Sequence, residues 1–529
     1  MTNAGTDRKP RSIRLWPAIV IGILAAVAVI GIQSGNSTGQ NKYTRSALIL
    51  VAALVLLVLW WTFFSRVRTR VRLTGLVVVL VLVVAGTQLV RIKGVTGDLE
   101  PLLKWRWAAT PDETLPRGGL DSPGLGPGPG LVPDPPPGAA DYPQFLGPNR
   151  NGTLEGLGLA RDWNVRPPRE VWRREVGAGW SSFAVAGGIA VTQEQRGPDE
   201  MVVAYRLATG EILWTHSDPE RYETTIAGIG PRATPTVADG RVYTLGATGI
   251  LNALDLATGQ RFWTRNIVED NKTVNPEWGR SGSPLVVDDV VVVSAGGSAG
   301  RSLVAYDRGT GERAWSDGDD FCGYSSPYPT TLAGVPQILI FNRGSVVAHD
   351  PSTGQVLWSF PWPPEQPNVA QPLPLPGDRL LVSSGYGIGS KLLRVVRREG
   401  EDGEPRLDTE LIWESPRLKA KFTNPVLHDG YVYSLDDGTM VCLDPETGER
   451  RWKRGRYGHG QVLLVGDLLI VTTERGDVVL VETDPDEHVE LGRVKAVEGR
   501  LWNPPALAGR YLLVRNDREA VCYELPMDG

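Results

Sequence analysis

The chain has 529 residues, including 62 Gly and 41 Pro, and a net charge of −5. That charge is split: residues 1–93 hold twelve Lys/Arg against Asp7 alone, while the remainder holds 43 Lys/Arg against 59 Asp/Glu. An acidic folded part argues against a nucleic-acid binder. The three scattered cysteines (Cys322, Cys442, Cys522) and five dispersed histidines argue against a disulfide framework and a Cys/His metal site.

Three apolar runs open the chain, at 15–32, 47–64 and 73–90, each 18 residues long without a charge. Such runs nearly match the ~20 residues that cross a ~30 Å hydrocarbon layer as a helix. Arg8, Lys9, Arg11 and Arg14 precede the first run, and Arg66, Arg68, Arg70 and Arg72 separate the second from the third; loop 33–46 has only Lys42 and Arg45. The positive-inside rule then places the N-terminus and the Arg-rich turn in the cytoplasm. Everything after Val90 is expected outside, on the periplasmic face of a bacterial-type inner membrane. Cleavage of the first run as a signal sequence would not change the orientation of the rest.

Beyond this membrane domain (1–93) comes a juxtamembrane segment and stalk (94–140). Trp105 and Trp107, alternating with Lys104 and Arg106, read as an interfacial belt. Residues 111–140 hold nine Pro and seven Gly, a composition that favours an extended polyproline spacer of up to roughly 90 Å.

The remainder, 141–529, is built on a repeat. ALDLATGQRFW (253–263) returns as AYRLATGEILW at 204, AYDRGTGERAW at 305, AHDPSTGQVLW at 348 and CLDPETGERRW at 442. Gly210, Gly259, Gly311, Gly354 and Gly448 each stand four residues before Trp214, Trp263, Trp315, Trp358 and Trp452. The spacing reads as strand, tight turn, strand: Asp and Thr bond the turn backbone, Gly supplies the positive φ, and Trp faces a neighbouring unit. Hairpin signatures such as TPTVADGRVYTL (234) precede the copies, giving four strands per unit. With Trp172 and Trp413 included, the Trp intervals run from 39 to 55 residues, the period of a propeller blade.

The expected fold class is therefore all-β: an eight-bladed propeller of four-stranded blades, preceded by three transmembrane helices and a Pro/Gly-rich linker. The count falls to seven if unit seven, which lacks both the Thr-Gly turn and the Trp, is no blade. Segment 170–177 reads as the strand missing from the last unit, which would close the ring. Cys442 and Cys522 replace the Ala of the other copies and read as small buried residues.

The A-x-D-x-x-T-G-x-x-x-W turn resembles that of the pyrroloquinoline quinone (PQQ) repeat propellers, which include quinoprotein alcohol dehydrogenases and the BamB-type outer-membrane assembly lipoprotein. DYPQFLGPNRNG (141–152) is similar to the lead-in of membrane-anchored PQQ-like propellers. The dehydrogenase branch implies PQQ, calcium, an adjacent Cys pair and a Glu/Asn/Asp set; no adjacent cysteines exist here and no such set carries over. The BamB branch implies a non-catalytic docking ring, here without a lipobox Cys near the N-terminus. The turn itself is structural in both branches.

The channel mouth is where such a ring would bind. Small polar residues (Ser182, Thr234, Ser283, Ser326, Gln371, Asn424, Asn503) open the innermost strands, and their ordinary role is to satisfy converging backbone. Just before them stand Trp180, Arg232, Arg280, Tyr324, Lys421 and Arg500, with Trp278 and Trp502 nearby. These are expected to share one rim that takes an anionic, planar or extended ligand, PQQ or an acidic peptide among them. The sequence assigns no catalytic residue and no metal ligand, and the expected partners are the membrane and envelope proteins or peptides.

Overall fold

The computed structural model describes residues 14–35, 39–116, 134–400 and 405–528. Arg8, Lys9, Arg11 and the core of the expected stalk, 117–133, lie outside these. The chain forms two compact units, Met1–Ala108 and Ala109–Gly529.

In the first unit, three helices are long and apolar enough to cross a membrane: α1 (Trp16–Ser34), α2 (Gly39–Leu59, continued by a wider turn over Trp60–Phe64) and α3 (Thr69–Leu89). They anchor the protein to a membrane. α2 begins earlier than its apolar run, because GQNKYTRS contains no breaker after Gly39 and is held by Lys42 Nζ donating to Gln33 O (2.8 Å). The Arg-rich turn closes on itself, Arg72 donating to Thr62 O (2.7 Å) and Val67 O (3.0 Å). A hairpin of Val90–Val95 and Pro101–Trp105 follows. The expected stalk is thus ordered at its membrane end. Its next residues are ordered too: α4 (Pro111–Thr114) sits in the second unit with Asp112 buried and paired to Arg221, and with Asp112 O accepting from Gly197 N. A Thr110–Glu113 capping box, absent from the Pro/Gly reading, makes this turn.

The second unit is a ring of eight sheets among the described residues. In chain order blades 1 to 8 take their inner strands from Ala184–Ala186, Thr236–Ala238, Leu285–Val287, Tyr328–Leu332, Leu373–Leu375, Val426–His428, Gln461–Val465 and Ala506–Ala508. Each is an antiparallel meander of four strands, so units five and seven are true blades. Arg169–Glu175 supplies the outer strand of blade 8, pairing antiparallel with Glu519–Glu524. The first strand of the ring therefore completes the last blade.

The repeated turn seals each blade to the next. Asp255 Oδ1 accepts from Thr258 N and Thr258 Oγ1 (both 2.8 Å), and Asp307 and Asp350 do the same for Thr310 and Thr353. Gly259 has φ +72, and a Cβ there would lie 2.5 Å from the indole of Trp214 in the preceding blade. Gly210 meets Trp172 in the same way, Gly311 meets Trp263, Gly354 meets Trp315 and Gly448 meets Trp413. Indole Nε1 atoms then donate across the seam, Trp214 to Leu256 O (2.8 Å) and Trp452 to Asp484 O (2.9 Å). In six of the eight blades the residue opposite the Trp is Ala or Cys: Ala253 faces Trp263, Cys442 faces Trp452 and Cys522 faces Trp172, whereas blade 5 sets Leu392 against Trp413 and blade 7 has Gly492 in place of Trp. Both cysteines are wholly buried, as a packing residue under an indole should be.

Blade 7 has Gly492 where the others have Trp. The gap is filled from elsewhere in the chain, because Trp163 lies with its Cβ 2.5 Å from where a Gly492 Cβ would be. The lead-in also occupies the channel. Tyr142 pairs with Val185 of blade 1, Pro143 O accepts from Val237 N of blade 2 (2.7 Å), and Gly152 O accepts from Leu464 N of blade 7 (2.8 Å). Thr153–Leu154 adds a parallel fifth strand to blade 7. Arg150, 1% exposed, donates to Ser283 O (3.1 Å) and Pro284 O (2.9 Å) of blade 3. Its burial lowers its pKa to about 9.

Candidate binding mouth

All inter-blade connections reach the innermost strands at the same end of the ring, and this end is the candidate site. A polar girdle lines its floor. Thr234 Oγ1 accepts from Ser182 N (3.2 Å), Ser283 Oγ from Thr234 N (2.9 Å) and Ser326 Oγ from Ser283 N (2.9 Å). Asn424 Oδ1 accepts from Gln371 N (2.8 Å), and Asn503 Nδ2 donates to Ser181 O (2.8 Å). Ser283, Asn424 and Asn503 thus spend these polar atoms on the backbone of neighbouring blades. Arg280 is turned away from the mouth, 2% exposed, with Nη1 on Ser294 O (2.9 Å) and Ala295 O (3.0 Å) inside blade 3. Sequence position alone could not show that its long side chain folds inward.

The other rim residues come together. Trp180 and Trp502 lie 5.0 Å apart, tilted by 45°. The Arg500 guanidinium rests 4.5 Å from the first ring and 4.0 Å from the second. Trp502 continues to Phe422 (5.0 Å), and Lys421 Nζ lies 5.7 Å from Phe422 and 4.4 Å from Tyr386. Tyr386 reaches across to Trp278 (6.2 Å), which stacks on Tyr324 (5.2 Å). Arg232 lies 4.6 Å over Tyr222 and donates to Gly230 O (2.5 Å) and Ala227 O (2.9 Å). Three cations therefore rest on aromatic faces at this mouth. Burial lowers Arg232 and Arg500 to about 10.

Two carboxyls border this ring. Glu474 accepts from Trp502 Nε1 (2.9 Å) and His459 N (3.1 Å). Glu200, 5% exposed, accepts from Ala247 N (3.1 Å); burial raises it to about 8, despite that hydrogen bond and the nearby Arg232. Tyr222, Tyr386, Phe422 and Glu474 were not singled out from the sequence. The signal for Tyr386 was the G-Y-G turn at 385–387, which has no counterpart in the other blades.

A profile described as "Outer membrane protein assembly factor BamB", of the PQQ-repeat class, matches residues 162–327, 198–454 and 342–501. The chain belongs to this family. Among curated relatives it is 28% identical over 251 residues (42% of this chain, 33% of the relative) to the 1-butanol dehydrogenase (cytochrome c) of Thauera butanivorans. It is 37% identical over 122 residues (22% of this chain, 30% of the relative) to the outer membrane protein assembly factor BamB of Moranella endobia. The chain thus spans about a third of the length of these relatives. The quinohemoprotein alcohol dehydrogenase of Comamonas testosteroni shares the fold at TM-score 0.51 and 16% identity, covering 74% of this chain and 81% of that one.

PQQ and calcium, which the dehydrogenase branch of the family uses, can be tested against these side chains. Among the described residues no group of three or more His, Cys, Asp or Glu could hold a metal ion. Trp180 and Trp502 are tilted against each other, and Trp278 is stacked on Tyr324, so these faces form no open parallel slot for a planar ring. Among the described residues the mouth thus shows neither a cluster of metal-binding acids nor a parallel aromatic slot.

Proposed function

We propose that the protein is a membrane-anchored, extracytoplasmic binding propeller that does no chemistry and holds an anionic ligand or envelope protein at one mouth. The carrying observation is the convergence of Arg232, Lys421 and Arg500 on aromatic faces at that mouth. The lead-in bonds to blades 1, 2, 3 and 7 at or beside their inner strands, so the channel beneath the mouth is taken up by the chain itself, which supports a ring that binds at its rim.

The test is photo-crosslinking in native membranes from position 226, at the mouth, against position 165, exposed in the segment before the closing strand Arg169–Glu175. Capture at 226 that falls on Arg500→Ala, with little at 165, is expected. Equal capture at both sites, or indifference to Arg500→Ala, would end this reading. The orientation rests on the charge asymmetry of the loops. An Ile226→Cys variant should react with a membrane-impermeant maleimide while the inner membrane is intact; labelling only after lysis reverses the topology.

A second reading, a PQQ- and calcium-dependent membrane-bound dehydrogenase, is favoured by the similarity to 1-butanol dehydrogenase (cytochrome c). Saturable, calcium-dependent quenching of Trp fluorescence by PQQ, with alcohol-dependent dye reduction, would establish it. No quenching up to hundreds of micromolar would dismiss it.

A further inference from the structure

The turn Gly385–Tyr386–Gly387 in blade 5 holds Tyr386 at φ 59. A bulky L-residue rarely adopts this conformation, and such outliers cluster at ligand sites. Its neighbours enforce it. Gly385 has no room for a side chain, since a Cβ there would lie 2.8 Å from Lys421 Cβ. The Tyr386 ring is covered by Lys421 Nζ at 4.4 Å and faces Trp278 at 6.2 Å. Yet Tyr386 Oη and Trp278 Nε1, both buried, have no hydrogen-bond partner among the described residues. Buried donors are nearly always satisfied, so two neighbouring orphans beside an ammonium group point to an absent acceptor.

The surroundings define what carries that acceptor. Three successive inter-blade connections expose Ile226 (41%), Val274 (68%) and Phe321 (53%). The same connections carry Tyr222, Trp278 and Tyr324, and they are tied together by Tyr222 Oη donating to Glu277 O and by Trp278 N donating to Tyr324 Oη (3.3 Å). Cations thus alternate with aromatics, beside an apolar shoulder. A long polyanion needs a stripe of cations and would meet a domain that is otherwise acidic. A peptide mixing carboxylates with apolar side chains matches both halves.

We propose that this mouth binds an extended acidic peptide. One carboxylate accepts from Tyr386 Oη and Trp278 Nε1 beside Lys421, and the peptide's apolar residues rest on Ile226, Val274 and Phe321. This rests on the binding-module reading above and names its ligand class.

The test uses the full chain in lipid nanodiscs and fluorescence anisotropy of a labelled, C-terminally amidated nonapeptide alternating glutamate with leucine and phenylalanine. Saturable binding is expected, weakened about ten-fold or more when glutamine replaces glutamate. Tyr386→Phe and Trp278→Phe, which keep an aromatic ring, should each weaken it about ten-fold with the unfolding midpoint unchanged. The proposal is overturned if the wild type does not saturate, if the glutamine peptide binds equally, or if Tyr386→Phe binds as the wild type does. Displacement of the peptide by polyphosphate at lower concentrations than by unlabelled peptide overturns it in favour of a polyanion. If the peptide arm fails while crosslinking at 226 still depends on Arg500, the binding-module reading stands and only the ligand class falls.

Discussion

Trp163 offers the sharpest test of how the ring is sealed. It is 2% exposed and occupies the place left by Gly492 in the outer strand of blade 7. A buried indole removes about 200 Å² from water, worth about 5 kcal/mol at ~25 cal/mol per Å², an upper bound because the unfolded chain is partly collapsed. Its Nε1 has no partner among the described residues, so truncation forfeits packing rather than a hydrogen bond. Trp163→Ala should therefore cost about 3–5 kcal/mol. Gly492→Ala alone should also destabilise, by about 1–3 kcal/mol, because its Cβ would sit 2.5 Å from Trp163 Cβ. The double variant supplies the decisive comparison. Alanine at 163 keeps the Cβ that the new methyl would meet, so the cycle pairs Gly492→Ala with Trp163→Gly. The nearest atom left to the methyl is then the Cα of residue 163, at 3.5 Å, and the Gly492→Ala penalty should vanish, a coupling of about 1–3 kcal/mol. Urea unfolding followed by near-UV circular dichroism measures all four corners of the cycle. A Trp163→Ala cost below about 1 kcal/mol, or an undiminished Gly492→Ala penalty, would refute the replacement of the missing Trp by Trp163.

Other seams and buried charges make further predictions. Gly259→Ala should cost clearly more than Gly240→Ala, since both glycines have positive φ but only the first would meet an indole at 2.5 Å; the pair of unfolding midpoints checks this. Arg150→Met should cost about 1–3 kcal/mol by leaving Ser283 O without its donor, while Pro284 O keeps Thr236 Oγ1, and an unchanged midpoint would show the lead-in to be dispensable there. Glu200 is held protonated in the fold, with a pKa raised from 4.5 to about 8. Between those values the unfolded state has released this proton and the folded state has not, so this contribution to stability is full below the unfolded pKa and declines as pH rises towards about 8. The interval corresponds to at most about 5 kcal/mol. Glu200→Gln should flatten the pH dependence and stabilise most at pH 8–9, and a parallel wild-type profile would disprove the assignment.

The architecture was readable in the sequence wherever the information was local and repeated. Asp, Thr, Gly and Trp at fixed spacing define a turn whose hydrogen bonds lie within four residues, and the closing strand 170–177 carries the same alternating pattern as the strands it joins. The irregular blades became visible as blades only in the structure. Gly492 looks like a lost Trp until Trp163, more than 300 residues earlier, is seen to fill its place. The rim divides along the same line. Trp180, Tyr324, Lys421 and Arg500 could be placed by register because they flank the repeated strand starts. Tyr386 could not, since it lies in a turn inside one blade. The inward path of Arg280 depends on carbonyls of blade 3, which no spacing reveals.

The pairing of Arg169–Glu175 with Glu519–Glu524 sets an order of events during biogenesis. The membrane helices and seven blades' worth of chain must be made before the early strand meets its partner, so until then it is a free edge waiting for residues that lie more than 300 positions later. Loss of the final dozen residues would not merely trim the molecule. It would leave an open-ended stack of sheets with two exposed edges, prone to pair with a second copy and open to proteases.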